Sequence, residues 1–158
     1  MKTLLVIVVI VAVAVGLVFL IRSRIAPTHS ATVADIPPIF TKLATLKDGS
    51  FAVFMFDSPF SRGEDVVNLQ YSVEHSTGGL DWVLLGSTNI ADKEKVAAFA
   101  AQLGHPLSER VMNKVHYLRA EGSGLDRLGT SIIVELYGVP RDAQLELITE
   151  GFEWPSKT

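Results

Sequence analysis

The sequence predicts an α+β domain, one mixed, mainly antiparallel sheet of about five strands with packed helices, behind a single N-terminal transmembrane helix. Three observations predict it. From Thr3 to Ile21 the chain "TLLVIVVIVAVAVGLVFLI" carries no charge and only one mildly polar residue. Beyond that run, "VVNLQYSVEH" alternates with the period of a strand, whereas "KEKVAAFAAQL" repeats with the period of a helix. The connections between the first strands are rich in turn residues and too short for a crossover, which implies hairpins.

The apolar run comes first. As a helix it is about 28 Å long at ~1.5 Å per residue, the thickness of a bilayer's hydrocarbon core. A cleavable signal has a shorter apolar stretch and a small-x-small site directly after it. Here Arg22 and Arg24 occupy that place, and the weak sites His29-Ser30-Ala31 and Thr32-Val33-Ala34 lie beyond both. The run therefore predicts an uncleaved anchor, residues 1–24, with the bilayer contacted through residues 3–21. A secreted domain released by cleavage is the alternative. Lys2 on one side nearly balances Arg22 and Arg24 on the other. The pair tilts the positive-inside rule toward a cytoplasmic domain. The expected location is a bacterial-type inner membrane, spanned once.

Residues 25–36, "IAPTHSATVADI", have no apolar period and read as a linker. The domain then covers 37–158. "PPIFTKLATLKDG" predicts a short helix over about 37–48, with Asp35 as a cap, prolines in the first turn, and Phe40, Leu43 and Ala44 on one face. Gly49 stops it. "SFAVFMFDSP" is apolar on both faces and predicts a central strand. In the next strand Val67, Leu69, Tyr71 and Val73 point one way, and Asn68, Gln70, Ser72 and Glu74 the other, toward solvent. "STGG" turns the chain, with Gly78 and Gly79 supplying positive φ, and "LDWVLLG" is a third strand.

"NIADKEKVAAFAAQLGHP" places Val96, Phe99, Ala100 and Leu103 on one helical face, with Asn89 or Asp92 as cap and Gly104 and Pro106 as the stop. "VMNKVHYLRAEG" reads as one strand. In "GSGLDRLGTSIIVELYGVP" the local pattern of "SIIVELY" suits a strand. Leu125, Leu128, Ile132 and Leu136 at helical spacing, with Ser123 as cap, favour a helix over about 124–137. "AQLELITEGFEW" alternates and closes the sheet.

Composition excludes some functions. Of 14 basic and 17 acidic residues, only Lys2 precedes the end of the apolar run, so the remainder has a net charge of 13 − 17 = −4 with His neutral. A mildly acidic domain lacks the basic face that nucleic acid requires. With no cysteine, thiolate catalysis, disulfides and Cys-zinc sites are excluded. His29, His75, His105 and His116 show no metal-ligand spacing. Gly122 and Gly124 lack the remaining residues of a phosphate loop and read as a turn. Asp57, Glu64, Asp65, Glu74 and Asp81 lie near strand ends and read as solvated turn acids. No catalytic residue, cofactor or metal is assigned.

The loop "DSPFSRGED" is long for a hairpin. Phe60 among Arg62, Glu64 and Asp65 makes it a candidate partner-contact loop. Phe152 and Trp154 in the tail are expected to pack rather than to bind. The function expected from these features is a non-catalytic protein-interaction module held near a membrane, with another protein as its partner. The alternative is a tethered enzyme using carboxylates and His75 or His116.

Overall fold

The computed structural model describes residues 29–58 and 66–155. The expected span at 3–21 and its flanking Lys2, Arg22 and Arg24 lie outside them. Among the described residues no helix is long and apolar enough to cross a membrane.

Seven strands form one sheet: β1 (His29–Thr32), β2 (Phe51–Phe56), β3 (Val67–Glu74), β4 (Thr77–Val83), β5 (Ser108–Met112), β6 (Val115–Glu121) and β7 (Gln144–Glu150). Their spatial order is β1-β7-β2-β3-β4-β6-β5. Every pairing is antiparallel. The expectation of about five strands in a mixed sheet is thereby corrected twice. The two extra strands are the outermost ones, β1 and β5, each too short to leave a period in the sequence. The sheet contains no parallel pair because the last crossover passes over three strands and inserts β7 antiparallel to β2.

β1 occupies part of the expected linker. His29–Thr32 pairs with Gln144–Leu147, and a 3₁₀ turn, Val33–Asp35, leads into the first helix. Ala31, Val33, Asp35 and Ile36 are buried, so residues 29–36 belong to the domain. Asp35 does not cap the helix with its side chain. Its Oδ2 instead accepts from the Thr32 amide at 2.8 Å and the Thr32 hydroxyl at 2.9 Å.

The helices are α1 (Ile36–Leu43), α2 (Ser87–Ala91), α3 (Lys93–Gln102) and α4 (Leu125–Ser131), the last continuing as a π-helical turn over Ile132–Leu136. The prolines of α1 sit in its first turn, where their missing N–H costs nothing. The ambiguous stretch is helical, as its leucine spacing predicts. The helix expected to start near Asn89 is interrupted at Asp92, because both polar side chains are used elsewhere. Asp92 Oδ2 accepts from the Tyr137 hydroxyl at 2.8 Å. Asn89 donates to the carbonyls of Asn68 at 2.9 Å and Val83 at 3.0 Å, tying β3 to β4.

Alternate residues of the sheet build the core against the helices. Ala52, Tyr71, Leu80 and Ala120 sit side by side across four strands. Trp82 is fully buried, stacks on Tyr137 at 5.9 Å, and donates its indole N–H to the Asn89 carbonyl at 2.9 Å. At roughly 25 cal/mol per Å² of apolar surface, one such ring contributes several kcal/mol. Phe152 and Trp154 pack against the same core, as expected. β2 is buried on both faces, as its apolar run predicts, and lies inside the sheet. The polar row of β3 differs from expectation. Asn68 and Ser72 are buried rather than wet.

Candidate functional site

The chemistry-bearing residues of the described chain gather on the sheet face turned away from the core cluster. Cross-strand register aligns Ile148, Val53, Gln70, Asp81, Arg119 and Ser108 in one row across six strands. The next row runs Glu150, Phe51, Ser72, Gly79 and Glu121. Phe51, Val53, Ile148 and Met55 make the first part of this face apolar. The second part is charged and centres on Arg119.

Arg119 has no exposed side-chain surface. Its Nη1 donates to Asp81 Oδ1 at 2.7 Å and to Ser72 Oγ at 2.9 Å. Its Nε donates to Glu121 Oε1 at 2.9 Å, and its Nη2 to the carbonyl of Thr77 at 3.1 Å. Ser72 Oγ donates to Asp81 Oδ2 at 2.5 Å. Above this floor, Glu74 accepts from the Tyr117 hydroxyl at 3.2 Å, and Arg110 reaches Glu121 at 3.2 Å and Glu74 at 3.8 Å. A buried guanidinium is tolerated only when its donors are met, and this cluster meets them.

Gly79 makes the arrangement possible. A Cβ there would lie 2.2 Å from the Arg119 guanidinium carbon. The glycine leaves a bare strip of β4 on which the planar group lies flat. This corrects the expected turn. Positive φ is supplied by His75 (51°) and Ser76 (62°), and Gly78 and Gly79 lie within β4.

Burial pushes the Asp81 carboxyl up to about 6, against the opposing pull of Arg119 and the hydrogen bond from Ser72. Burial, aided by the charges of Glu74 and Asp81, pushes Tyr117 up to about 12. The hydrogen bond from Arg119 holds Glu121 below the usual carboxylate range. Desolvation works against the charge on Arg119, but Asp81 and Glu121 outweigh it and hold its pKa above the ordinary value.

A pH prediction follows from Asp81. Its folded pKa lies above its unfolded one, 3.8, so its contribution to stability is complete below the unfolded pKa and is lost as pH rises through about 6. Glu121, shifted down, acts in the opposite sense, so the comparison is made against Asp81→Asn, which retains Glu121. The wild-type stability minus that of the variant, from urea unfolding, is expected to fall by about 2 kcal/mol between pH 4 and 7. A difference that is flat or rises over that range refutes this account of Asp81.

Of the carboxylates noted in the sequence, Glu74 and Asp81 come together, and Asp57 is exposed elsewhere. Phe60, Arg62, Glu64 and Asp65, the candidate contact loop, lie outside the described residues. Neither candidate histidine takes part in the cluster's hydrogen bonds. His75 occupies the β3–β4 turn, and His116 is on the core-side face, bonded to Glu109 at 3.1 Å. Among the described residues no group of three His, Asp or Glu side chains could hold a metal ion. Sequence reasoning missed Arg119. Its one signal is "YLRAE", where Tyr117, Arg119 and Glu121 share a strand face.

A second feature is the β5 edge. β5 and β6 form a hairpin closed by Asn113 (φ 49°) and Lys114 (φ 70°), where one continuous strand was expected. Two consecutive positive φ values make a type I′ turn, which needs no glycine when Asn leads. β5 is the last strand of the sheet and carries Val111, 57 % exposed, and Met112, 40 % exposed. Large apolar side chains at an open edge are what isolated soluble sheets avoid.

The chain matches no protein-family model, no curated protein and no solved structure.

Proposed function

We propose that this protein is a non-catalytic interaction domain, held at a membrane by residues 3–21, that receives its protein partner along the β5 edge. The observation that carries this reading is β5 itself: an outermost strand whose tip presents Val111 and Met112 to solvent. Strand addition to such an edge supplies main-chain hydrogen bonds for affinity and side-chain contacts for choice of partner.

The placement of the edge suits the tether. Only residues 22–28 separate the apolar run from His29, a reach of at most about 25 Å. β1 is thereby kept close to the bilayer. β5 stands six strand spacings away at the far end of the sheet, roughly 29 Å. The charged face supports the same reading. Asp81, Glu74 and Glu121 are met by Arg119, Arg110, Tyr117 and Ser72, an arrangement that stiffens the platform behind the edge.

The test uses the full chain in its own membranes. Alkaline carbonate washing is expected to leave it in the membrane pellet. A photo-crosslinking side chain at position 111 is expected to give a polypeptide adduct that the same group at Gln102, on exposed α3 surface, does not give. Release by carbonate refutes the tether. Equal adducts from both positions, or none from 111, refute the edge.

A further inference from the structure

We propose that residues 22–28 form a strap across the sheet face turned away from the core, with Ile25 seated on the apolar patch of β2 and β7. The proposal needs neither the β5 edge nor the bilayer, and its test separates it from both.

The patch is buried, yet no described element lies over it. Register places Ile148 beside Val53, with Phe51 and Met55 on the same face of β2. Ile148 has no exposed surface, Val53 has 4 % and Phe51 has 6 %. Every buried apolar side chain of the helices packs on the opposite face. Side chains in one layer of a sheet shield each other's flanks and leave their tops open. Another segment therefore lies over them. They are buried within a single chain, so no second copy, other protein or lipid supplies the cover. On the same face, beside Met55, Asn68 is 3 % exposed. Its Oδ1 has no hydrogen-bond partner among the described residues. A cover that fits this face brings a donor as well as apolar surface.

Three segments lie outside the described residues, and the places where they meet the fold separate them. Residues 59–65 follow Ser58, whose hydroxyl donates to the Tyr137 carbonyl at 3.3 Å on the core side. Residues 156–158 follow Phe152 and Trp154, which pack against the core. Residues 1–28 lead into His29, opposite Leu147 in antiparallel register, so this segment reaches the sheet level with Ile148. Pro27 has no N–H to give to a ladder, which ends the pairing and lets the chain leave the plane of the sheet. Val53 lies two strand spacings from β1, about 10 Å. The extended chain from His29 back to Ile25 spans about 13 Å, enough to bring Ile25 over the patch.

Charge selects the same segment. Glu146 and Glu150 flank Ile148 on this face and are exposed. The strap carries two charges, Arg22 and Arg24, and both are positive. A strap in this place makes the connection to residues 3–21 short and fixed, so the domain keeps one orientation instead of swinging on a linker.

The test uses the full chain in its own membranes. A photo-crosslinking side chain at position 25 is expected to give an adduct that still migrates at the monomer mass, 17.2 kDa. Mass spectrometry is expected to map the new bond to Phe51–Phe56 or Gln144–Glu150. An adduct at twice the mass, with another polypeptide, with lipid alone or with other parts of the chain overturns the proposal, as does no adduct. Oxidation of the native methionines by peroxide gives a second measurement. Met55 borders the patch, whereas Met112 lies on the last strand of the sheet. Ile25→Asp is expected to speed oxidation of Met55 several-fold and to leave Met112 unchanged, and Ile25→Leu to change neither. An unchanged Met55 rate in Ile25→Asp overturns the strap. Release by carbonate, or no adduct from position 111, refutes the tether or the edge and leaves the strap standing.

Discussion

Arg119→Ala is expected to destabilise the domain by about 3–5 kcal/mol, the usual cost of removing one partner from a buried charge pair. The loss is large because the guanidinium serves Asp81, Ser72, Glu121 and the Thr77 carbonyl together. Without it, Glu74, Asp81 and Glu121 lose the cation they share, and Asp81 has no counter-charge within its buried surroundings. Denaturant unfolding, followed by Trp82 fluorescence, measures the loss as a lower midpoint at unchanged slope. Asp81→Ala alone should cost less, since Glu121 at 2.9 Å and Glu74 at 3.5 Å still face the cation. The double variant should then cost clearly less than the two together, because the contact between Arg119 and Asp81 is lost only once. Strict additivity would mean that the two residues act independently, against the 2.7 Å contact between them.

Gly129→Ala is expected to cost about 2–4 kcal/mol, although glycine to alanine inside a helix ordinarily gains about 1 kcal/mol. The local gain loses to packing. A Cβ at position 129 would stand 1.9 Å from the Tyr71 hydroxyl and 2.9 Å from its ring carbon Cζ. Tyr71 has no exposed surface and donates to the Leu125 carbonyl at 3.0 Å, so it cannot turn aside without breaking that bond. The close approach of α4 to β3 depends on this one missing methyl group. Tyr71→Phe removes the nearer obstacle. In the Gly129→Ala background it should recover part of the loss, whereas in the wild type it should cost about 1 kcal/mol. A Gly129→Ala protein as stable as wild type would show that α4 stands further from the sheet than described.

Much of the fold is legible in the sequence where one element satisfies its own chemistry. Val67, Leu69, Tyr71 and Val73 announce their strand because a half-buried strand shows its period locally. The leucines of α4 outweigh the strand-like look of "SIIVELY" for the same reason. β1 and β5 escape notice because four or five residues carry no period. They are strands by virtue of the neighbours that pair with them, β7 and β6. Asn113-Lys114 escapes as a turn because neither residue is glycine. Gly79 misleads in the opposite sense, since its role is close packing under Arg119 rather than a bend.

The charged cluster is illegible for a further reason. Asp81 and Arg119 are 38 residues apart, and nothing in either neighbourhood marks the other. Only the β4–β6 register places them opposite each other, and only the bare backbone at Gly79 lets the guanidinium lie down. By itself the sequence determined the segments that bury an apolar face, the net charge, the absence of thiol chemistry, and an apolar N-terminal run of membrane-spanning length. These depend on the residues alone. The tertiary structure decided strand number and direction, which acids are buried, and which strands lie at the edges of the sheet. Those depend on where distant segments meet, and hydrogen-bond register and desolvation act only once they do.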